Sequence, residues 1–256
     1  MLSCSGICYD ASVTLDENIL WLQDFYRRFD EDVKRLSQQE RIWAVCQKCP
    51  DGWCCGRNSY ISLKRRGNPF LVEDWSLMLE HVRTRFTADE KKQLAKNVIS
   101  QRPACIFLFK NRCQVYISRP WGSRLHPYTI NFAENSLAFP VGQIALPTCP
   151  SLAASFGLKT DAELIQAPQV IERSGTLVSV KLRKHRPIWM LDISEYVREY
   201  GERGASRKIS GEDLGHLLEL AHLAGGEYGE LLRLYLETVL GLRSNVRLVP
   251  SNAPTD

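Results

Sequence analysis

A helical stripe of apolar residues is the first clear pattern along the chain. These residues recur at spacings of three and four, which places them on one face of an amphipathic α-helix. They are Leu22, Phe25, Phe29, Val33 and Leu36. The preceding Thr14-Leu-Asp-Glu17 has the form of a capping box. We therefore expect the helix to begin there and its aromatic residues to lie in the core.

Similar patterns predict two central helices. A helix over residues 72–82 has Trp75 and Leu79 on its inward face. Thr87-Ala-Asp-Glu90 is a second capping box, and the helix that it begins continues through Val98. Both segments are therefore expected to contribute apolar faces to a common core.

A helical hairpin is predicted near the C-terminus. Ser210-Gly-Glu-Asp213 is a third capping box, and Gly225-Gly226 separates the leucine-rich helix after it from a second helix through Tyr235 and Leu236. Two helices joined in this way form an antiparallel pair. We expect the pair to pack on its own chain. Docking of a protein partner on these C-terminal helices is the alternative.

Strand patterns are shorter and fewer. Ile106 to Phe109 and Gln114 to Ile117 predict a β-hairpin that turns at Lys110-Asn-Arg112. Downstream, residues 129–139 are interpreted as a strand pair and residues 177–182 as a strand, followed by a mixed segment over 188–200 that ends in a helix. The combination predicts an α+β fold.

Composition and charge narrow the class of protein. The 256 residues are 44% hydrophobic and 24% charged, which is typical of a globular protein with a sizeable core. No secretory signal and no apolar run of membrane-spanning length is evident, so we expect a cytoplasmic protein without membrane contact. The net charge of +4 is mild, and the short basic runs at Lys64 and Lys181 are interpreted as solvated surface. Nucleic acid is therefore not an expected partner.

Cysteine content supplies the candidate chemistry. Six of the nine cysteines lie between Cys46 and Pro127. In a reducing compartment, clustered cysteines indicate metal ligands or catalytic groups rather than disulfides. The glycine- and proline-punctuated loop from Cys46 to Gly56 suits a metal site, since it lets backbone N–H groups turn toward thiolates. Tyr116, Arg119 and Arg124 are expected beside the cluster, where cations lower the pKa of thiols.

These motifs resemble the bacterial and archaeal CxxCxxCC, or zinc/iron-chelating, domain family (YkgJ-like). The resemblance covers about residues 46–152 and includes an opening cysteine run, a cysteine-bearing strand and turn, a Tyr-x-x-Arg-Pro segment from Tyr116 to Pro120, and a Cys-Pro turn. It implies a metal site and leaves the reaction open. The implied ligands are Cys46, Cys49, Cys54, Cys55, Cys105, Cys113 and Cys149. The residues expected around them are Tyr116, Arg119, Ser123, Arg124 and His126.

The sequence departs from the family pattern where a further cysteine is expected. Ser123 stands there, before Arg124, and a hydroxyl is a poorer ligand than a thiolate for zinc or iron. The missing thiolate either leaves an open coordination position or is replaced by Cys4, Cys8 or His126. Ala104 also replaces the proline before Cys105, and the opening run has the spacing Cys-x2-Cys-x4-Cys-Cys.

The identity of the metal follows from the cysteine spacing only in part. Structural zinc sites usually carry two CxxC pairs, and only one clean pair is present here. Scattered single cysteines suit an iron–sulfur cluster, which we favour over Zn²⁺. The expected function is a metal-binding protein with a structural, electron-transfer or metal-handling role. The alternatives are a metal-dependent redox or modification enzyme with an open position near Ser123, and a protein-interaction module.

The predicted organisation has four parts. Residues 1–45 form an N-terminal helical lead, and residues 46–152 form the cysteine-cluster domain with its irregular core and short hairpin. Residues 153–249 form a C-terminal extension that passes from α/β to the helical hairpin, and residues 250–256 form a disordered tail.

Overall fold

Helices dominate the computed structural model of the chain. The structure describes residues 15–40, 71–100, 105–110, 112–125, 128–129, 143–144, 170–174, 177–181, 187–191, 193–206 and 209–242. Among the described residues, no helix is long and apolar enough to cross a lipid bilayer. The predicted cap at Thr14, the residues before it and the predicted C-terminal tail lie outside these ranges.

The N-terminal stripe forms the helix that its spacing predicts. Helix α1 spans Leu15–Glu40. Leu22, Phe25 and Phe29 are fully buried, and Tyr26 is buried beside them. The opposite face carries Asp24 and Arg27, which form an ion pair one turn apart with an N–O distance of 2.6 Å. The amphipathic pattern is therefore satisfied by burial on one side and charge on the other.

Two central helices follow, α2 over Val72–Arg85 and α3 over Ala88–Ser100. The second capping box is confirmed: the Thr87 amide donates to Glu90 Oε2 at 2.8 Å, and the Glu90 amide donates to Thr87 Oγ1 at 3.3 Å. These bonds satisfy amide groups that have no partner inside the helix, which fixes the start of α3.

The predicted β-hairpin is present but smaller than expected. Strand β1 (Leu108–Phe109) pairs antiparallel with β2 (Arg112–Cys113), so that Leu108 faces Cys113 and Phe109 faces Arg112. The prediction of a second strand over Gln114 to Ile117 is wrong, because these residues form turns. The reason is the two-residue loop, in which Lys110 adopts a left-handed φ of 49°. Such a short loop starts the return strand at Arg112.

Three further strands form an antiparallel sheet in the order β5-β6-β7. They are β5 (Val170–Ser174), β6 (Leu177–Lys181) and β7 (Pro187–Leu191). The sequence pattern predicted β6 and the mixed segment that holds β7, but it missed β5. Two short strands upstream, β3 (Tyr128–Thr129) and β4 (Gln143–Ile144), pair with each other, so the partner of the segment at Thr129 lies later than the predicted range.

The remaining helices are α4 (Trp121–Leu125), α5 (Ser194–Ser206), α6 (Gly211–Gly225) and α7 (Gly229–Val239), with a 3₁₀ turn over Gly226–Tyr228. The third capping box is confirmed, because the Asp213 amide donates to Ser210 Oγ at 3.0 Å and the Ser210 amide donates to the Asp213 carboxylate at 3.1 Å. The break between α6 and α7 falls at the predicted glycines, and Gly226 has a φ of 61°.

One apolar core joins α2, α3, the β1–β2 hairpin, α6 and α7. Helix α6 packs on α2, and α7 packs on α3 and α6. Leu217 and Ala221 of α6 and Leu232 and Leu236 of α7 are buried in this core, together with Phe107 of the hairpin segment. The inward leucines of the C-terminal helices are therefore covered by the chain itself. The coarse α+β expectation, with an N-terminal helix, a short hairpin and C-terminal helices, agrees with the structure.

Candidate metal centre

The β1–β2 hairpin connects the backbones of two predicted ligands, Cys105 and Cys113. The Leu108 amide donates to the Cys105 carbonyl at 3.1 Å, and Leu108 is also the strand partner of Cys113. The Gln114 amide donates to the Phe107 carbonyl at 3.0 Å, which extends the contact between the two segments. Cys105 and Cys113 are thus held through a common residue although seven residues separate them in the chain.

A buried amide side chain fixes this hairpin against α3. Asn97 donates through Nδ2 to the Ile106 carbonyl at 2.8 Å and to the Leu108 carbonyl at 3.3 Å. Gln93 in turn donates to Asn97 Oδ1 at 3.0 Å, so both ends of the Asn97 amide are bonded. These bonds therefore anchor the backbone next to Cys105 to α3.

Two of the predicted ligands, Cys105 and Cys113, lie among the described residues. Cys105 is buried and belongs to the apolar core, whereas Cys113 is half-buried at the end of β2. The other predicted ligands, Cys46, Cys49, Cys54, Cys55 and Cys149, lie outside the described residues, as do Cys4, Cys8 and His126. Within the described ranges, no group of three or more histidine, cysteine or acidic side chains is arranged to hold a metal ion. Metal binding by the predicted ligands therefore remains a prediction.

The Tyr-x-x-Arg segment after the hairpin forms a stacked pair. The guanidinium carbon of Arg119 lies 3.7 Å from the centre of the Tyr116 ring, a close cation–π contact. The buried Nε of Arg119 has no hydrogen-bond partner among the described residues. The charge of Arg119 is thus held two residues beyond the turn that follows Cys113, and one N–H of its guanidinium remains to be satisfied.

Arg124 fastens the same segment to α1. It is 3% exposed and donates to the carbonyls of Arg119, at 2.9 Å, and of Ile117. It also donates to Asp30 Oδ2 at 2.5 Å and stacks over Tyr26 with its guanidinium carbon 3.9 Å from the ring centre. These bonds give Arg124 a structural role between the hairpin segment and α1. Its expected influence on thiolates remains a prediction.

Ser123 lies in the short helix α4, half-buried beside Arg124. Its amide donates to the Pro120 carbonyl at 2.9 Å, which forms the first turn of that helix. The position where the family pattern expects a cysteine is therefore held on a defined helical turn by Pro120 and Arg124. An open coordination position at Ser123 remains a prediction.

A buried carboxylate in α2 was missed by sequence reasoning. Asp74 is fully buried and accepts hydrogen bonds from the Tyr26 hydroxyl, from the Tyr200 hydroxyl at 2.5 Å and from the Leu71 amide at 3.1 Å. The Trp121 amide also donates to it. Four donors from four parts of the chain thus meet at one side chain. The only sequence signal is an acidic residue directly before an inward-facing tryptophan.

We call the place where α1, α4 and α5 meet Asp74 of α2 the junction. Burial dominates its electrostatics. It raises the pKa of Asp74, although the hydrogen bonds from Tyr200, Tyr26 and the backbone favour the carboxylate. Burial, followed by the charge of Asp74, raises the pKa of Tyr26 well above its usual value and raises that of Tyr200 as well. Both tyrosines therefore remain protonated and continue to donate over the whole physiological pH range.

Aromatic rings surround the carboxylate. Phe25 contacts the edge of Trp121 at 4.9 Å between ring centres, and Phe29 does so at 4.8 Å. Trp121 also stacks on Tyr200 at 5.7 Å. Because Trp121 opens α4, this packing locates the helix that contains Ser123 and Arg124. The junction is thus the frame that holds the segment after Cys113.

A third tyrosine, the buried Tyr235, differs from Tyr26 and Tyr200 in its hydrogen bonding. Tyr235 of α7 is 2% exposed, and its hydroxyl oxygen makes no hydrogen bond in the part of the chain that the structure describes. Burial and, next, the nearby Cys105 thiol raise its pKa. Sequence reasoning interpreted Tyr235 only as a core position of the helical stripe, because the spacing of a helix carries no information about what its hydroxyl meets.

The cleft between α3 and the C-terminal helices is small. It encloses about 190 Å³, open solvent included, and is lined mainly by apolar side chains that include Leu94, Val98 and Leu231. Ligand pockets usually measure roughly 300–1,000 Å³. This cleft therefore adds nothing to the enzyme alternative, which remains a prediction.

Comparison with known proteins yields no match: no protein-family model, no curated protein and no solved structure is similar to this chain. The resemblance to the CxxCxxCC family therefore rests on the quoted residues alone.

Proposed function

We propose that the protein binds a metal cofactor through clustered cysteine thiolates and uses it in a structural, electron-transfer or metal-handling role. The proposed ligands come from Cys46, Cys49, Cys54, Cys55, Cys105, Cys113 and Cys149. An iron–sulfur cluster is favoured over zinc, because the later cysteines occur singly rather than in CxxC pairs.

The observation that carries the proposal is the arrangement of Cys105 and Cys113. Their backbones are joined through Leu108, which has Cys113 as its strand partner and bonds to the Cys105 carbonyl. The Asn97 side chain holds the backbone of this hairpin at Ile106 and Leu108. A backbone that is already held in place lowers the cost of ordering a ligand.

The chain's own groups supply what a thiolate site needs around it. Metal binding requires deprotonated thiols, which nearby cations favour, and Arg119 supplies a cation on the segment that follows Cys113. The cofactor itself, when bound, supplies either one-electron chemistry or a rigid cross-link between the opening cysteine run and the hairpin.

The direct test is metal and acid-labile sulfide analysis of the full chain purified without oxygen, together with its visible spectrum. We expect iron and sulfide in comparable amounts, or else stoichiometric zinc without colour. Cys113→Ser and Cys105→Ala should each lose bound metal, and alanine is used at Cys105 because that side chain lies in the apolar core.

Thr84→Ala is the control, since it removes an exposed hydroxyl on α2 that is not a candidate ligand. It should keep the metal content of the wild-type protein. Wild-type protein without iron or zinc contradicts the proposal, and so does full metal content in both ligand variants.

A further inference from the structure

A hydrogen bond joins a histidine and a serine that are not among the predicted metal ligands. His81 Nδ1 lies 3.1 Å from Ser118 Oγ, although 37 positions of the chain separate the two residues. His81 belongs to α2, and Ser118 lies in the turns between β2 and α4. Both residues are half-buried, so the protein positions each side chain and leaves part of it open to solvent. A serine hydroxyl within hydrogen-bond reach of an imidazole is the arrangement that activates a serine nucleophile.

The surroundings of His81 favour the neutral imidazole that a general base requires. Burial, and then the charge of Arg85 on the same helix, lower the pKa of His81, and the opposing effect of Glu90 on α3 is smaller. The Phe86 ring lies perpendicular to the imidazole, with 6.1 Å between the ring centres. His81 is therefore uncharged at neutral pH. In the tautomer with its proton on Nε2, it accepts the Ser118 hydroxyl proton at Nδ1.

The backbone at Ser118 is fixed on one side and open on the other. The Ser118 amide donates to the Val115 carbonyl at 2.9 Å, which closes a tight turn. Ile117, the residue before the serine, is 77% exposed, so the turn lies at the surface. The amide of Arg119, the residue after it, has no backbone acceptor among the described residues. In α/β-hydrolases the amide directly after the nucleophile donates to the oxyanion, and this amide is free for the same use.

We propose that Ser118 is a nucleophile that accepts the acyl group of small activated carboxylic esters, with His81 as its general base. This inference goes beyond the proposed function and does not depend on a metal. The Ser118 oxygen bonds to the carbonyl carbon while its proton passes to His81 Nδ1. The carbonyl re-forms as the bond to the alcohol oxygen breaks, and His81 gives the proton to that alcohol. Water then attacks the acyl-serine with the same two proton transfers, which releases the acid and restores the hydroxyl.

A fluorophosphonate probe tests the nucleophile in the full-length protein. The probe reacts with activated serines rather than thiols, which matters in a chain with nine cysteines. The serine oxygen bonds to phosphorus and fluoride leaves, so the label is permanent and mass spectrometry locates it. We expect one label per chain, on Ser118. Release of nitrophenol from a nitrophenyl ester, compared between wild type and Ser118→Ala, measures turnover apart from any reaction of the thiols.

Two variants and two controls assign the roles. Ser118→Ala should lose the label, and His81→Ala should lower the labelling rate by about 100-fold, because a general base contributes roughly 10²–10⁴-fold. The controls Thr84→Ala and His222→Ala remove a hydroxyl on α2 and an imidazole on α6. Both should label as wild type does, and circular dichroism checks that every variant is folded.

The pH dependence of labelling is measured on the wild type and needs no variant. The rate should rise as His81 loses its proton and reach half of its maximum below pH 6.5, the ordinary pKa of histidine, because burial and Arg85 lower this pKa. A rate that continues to rise through pH 9 indicates a serine without a base and overturns the proposal.

The proposal is also overturned if Ser118 carries no label, or if wild type and folded His81→Ala are labelled at the same rate. None of these measurements requires bound metal. Failure of this inference therefore leaves the proposed metal site standing, and metal analysis tests that site separately.

Discussion

Helix α2 is shared by two regions that are held together by different forces. On one side, Leu79 and Val82 enter the apolar core with α6 and α7, where the contacts are non-directional. On the other side, Asp74 enters a junction of α1, α4 and α5, where directed hydrogen bonds from Tyr26 and Tyr200 meet the carboxylate.

The comparison shows how differently the two regions depend on individual side chains. The apolar core tolerates exchange of similar volumes, because many weak contacts share the energy. The hydrogen-bonding groups of the junction depend on one another. Loss of the Asp74 carboxylate leaves the donors that bond to it buried and unpaired. The junction also holds α4 and, through Arg124, the segment after Cys113. Substitutions at the junction should therefore displace the segment beside the candidate metal centre.

The largest expected effect is in the apolar core. Leu79→Ala should lower the free energy of unfolding by about 4 kcal/mol, because a fully buried side chain is replaced by a cavity. Urea unfolding followed by circular dichroism measures the change. Leu20→Ala is the control, since Leu20 is 65% exposed and should change stability little. Equal losses of unfolding free energy in the two variants would mean that burial of Leu79 in the apolar core does not stabilise the fold.

A slightly smaller effect is expected at the junction. Asp74→Ala should lower the free energy of unfolding by about 3 kcal/mol, because the hydroxyls of Tyr26 and Tyr200 and the amides of Leu71 and Trp121 lose their acceptor. The variant should also expose Trp121, which a shift of tryptophan fluorescence would report. A loss below about 1 kcal/mol would mean that the carboxylate does not hold the junction together.

Asp74→Asn sharpens this test through its pH dependence. Burial raises the pKa of Asp74 above its ordinary value of 3.8, so the folded protein takes up this proton at a higher pH than the unfolded chain does. Wild type should therefore gain stability relative to Asp74→Asn as pH falls from neutral, through the folded pKa, toward 3.8. Urea unfolding at a series of pH values measures the difference, and parallel curves would contradict the assignment.

The smallest expected effect lies where the two C-terminal helices meet. A Cβ atom at Gly229 would lie 2.1 Å from the His222 carbonyl oxygen, whereas one at Gly215 would meet nothing within 4 Å. Gly229→Ala should therefore destabilise the protein by about 2 kcal/mol. Gly215→Ala should stabilise it by about 0.5–1 kcal/mol, because alanine favours a helix. Thermal unfolding of both variants measures the two changes in stability. Changes of the same sign would contradict the prediction.

Sequence reasoning performed best where structure is local. The capping boxes at Thr87 and Ser210 and the glycine break after α6 were predicted and are observed. The hairpin was located correctly, but its return strand was misplaced, because apolar character at Val115 to Ile117 outweighed the geometry of the two-residue loop. Strand β5 was missed, since Val170–Ser174 alternates too weakly to indicate a strand without its neighbour β6.

The candidate site was predictable only as a set of residue types. Spacing selected Cys105 and Cys113, and the structure joins both through Leu108. Spacing also selected Arg119 and Arg124 as neighbours of the cluster. Spacing did not predict that Arg124 binds Asp30 of α1, because the fold brings that carboxylate to it across 94 positions of the chain.

By itself, the sequence determined the helices, their caps, their inward faces and a density of thiols suited to a metal. These depend on residues within about four positions of one another, where backbone geometry fixes which side chains meet. Only the tertiary structure decided that Asp74 accepts hydrogen bonds from Tyr26 and Tyr200, which lie 48 and 126 positions away, and that the buried Tyr235 hydroxyl finds no partner among the described residues. Such contacts are set by how helices dock, and helix docking leaves no periodic trace in the sequence.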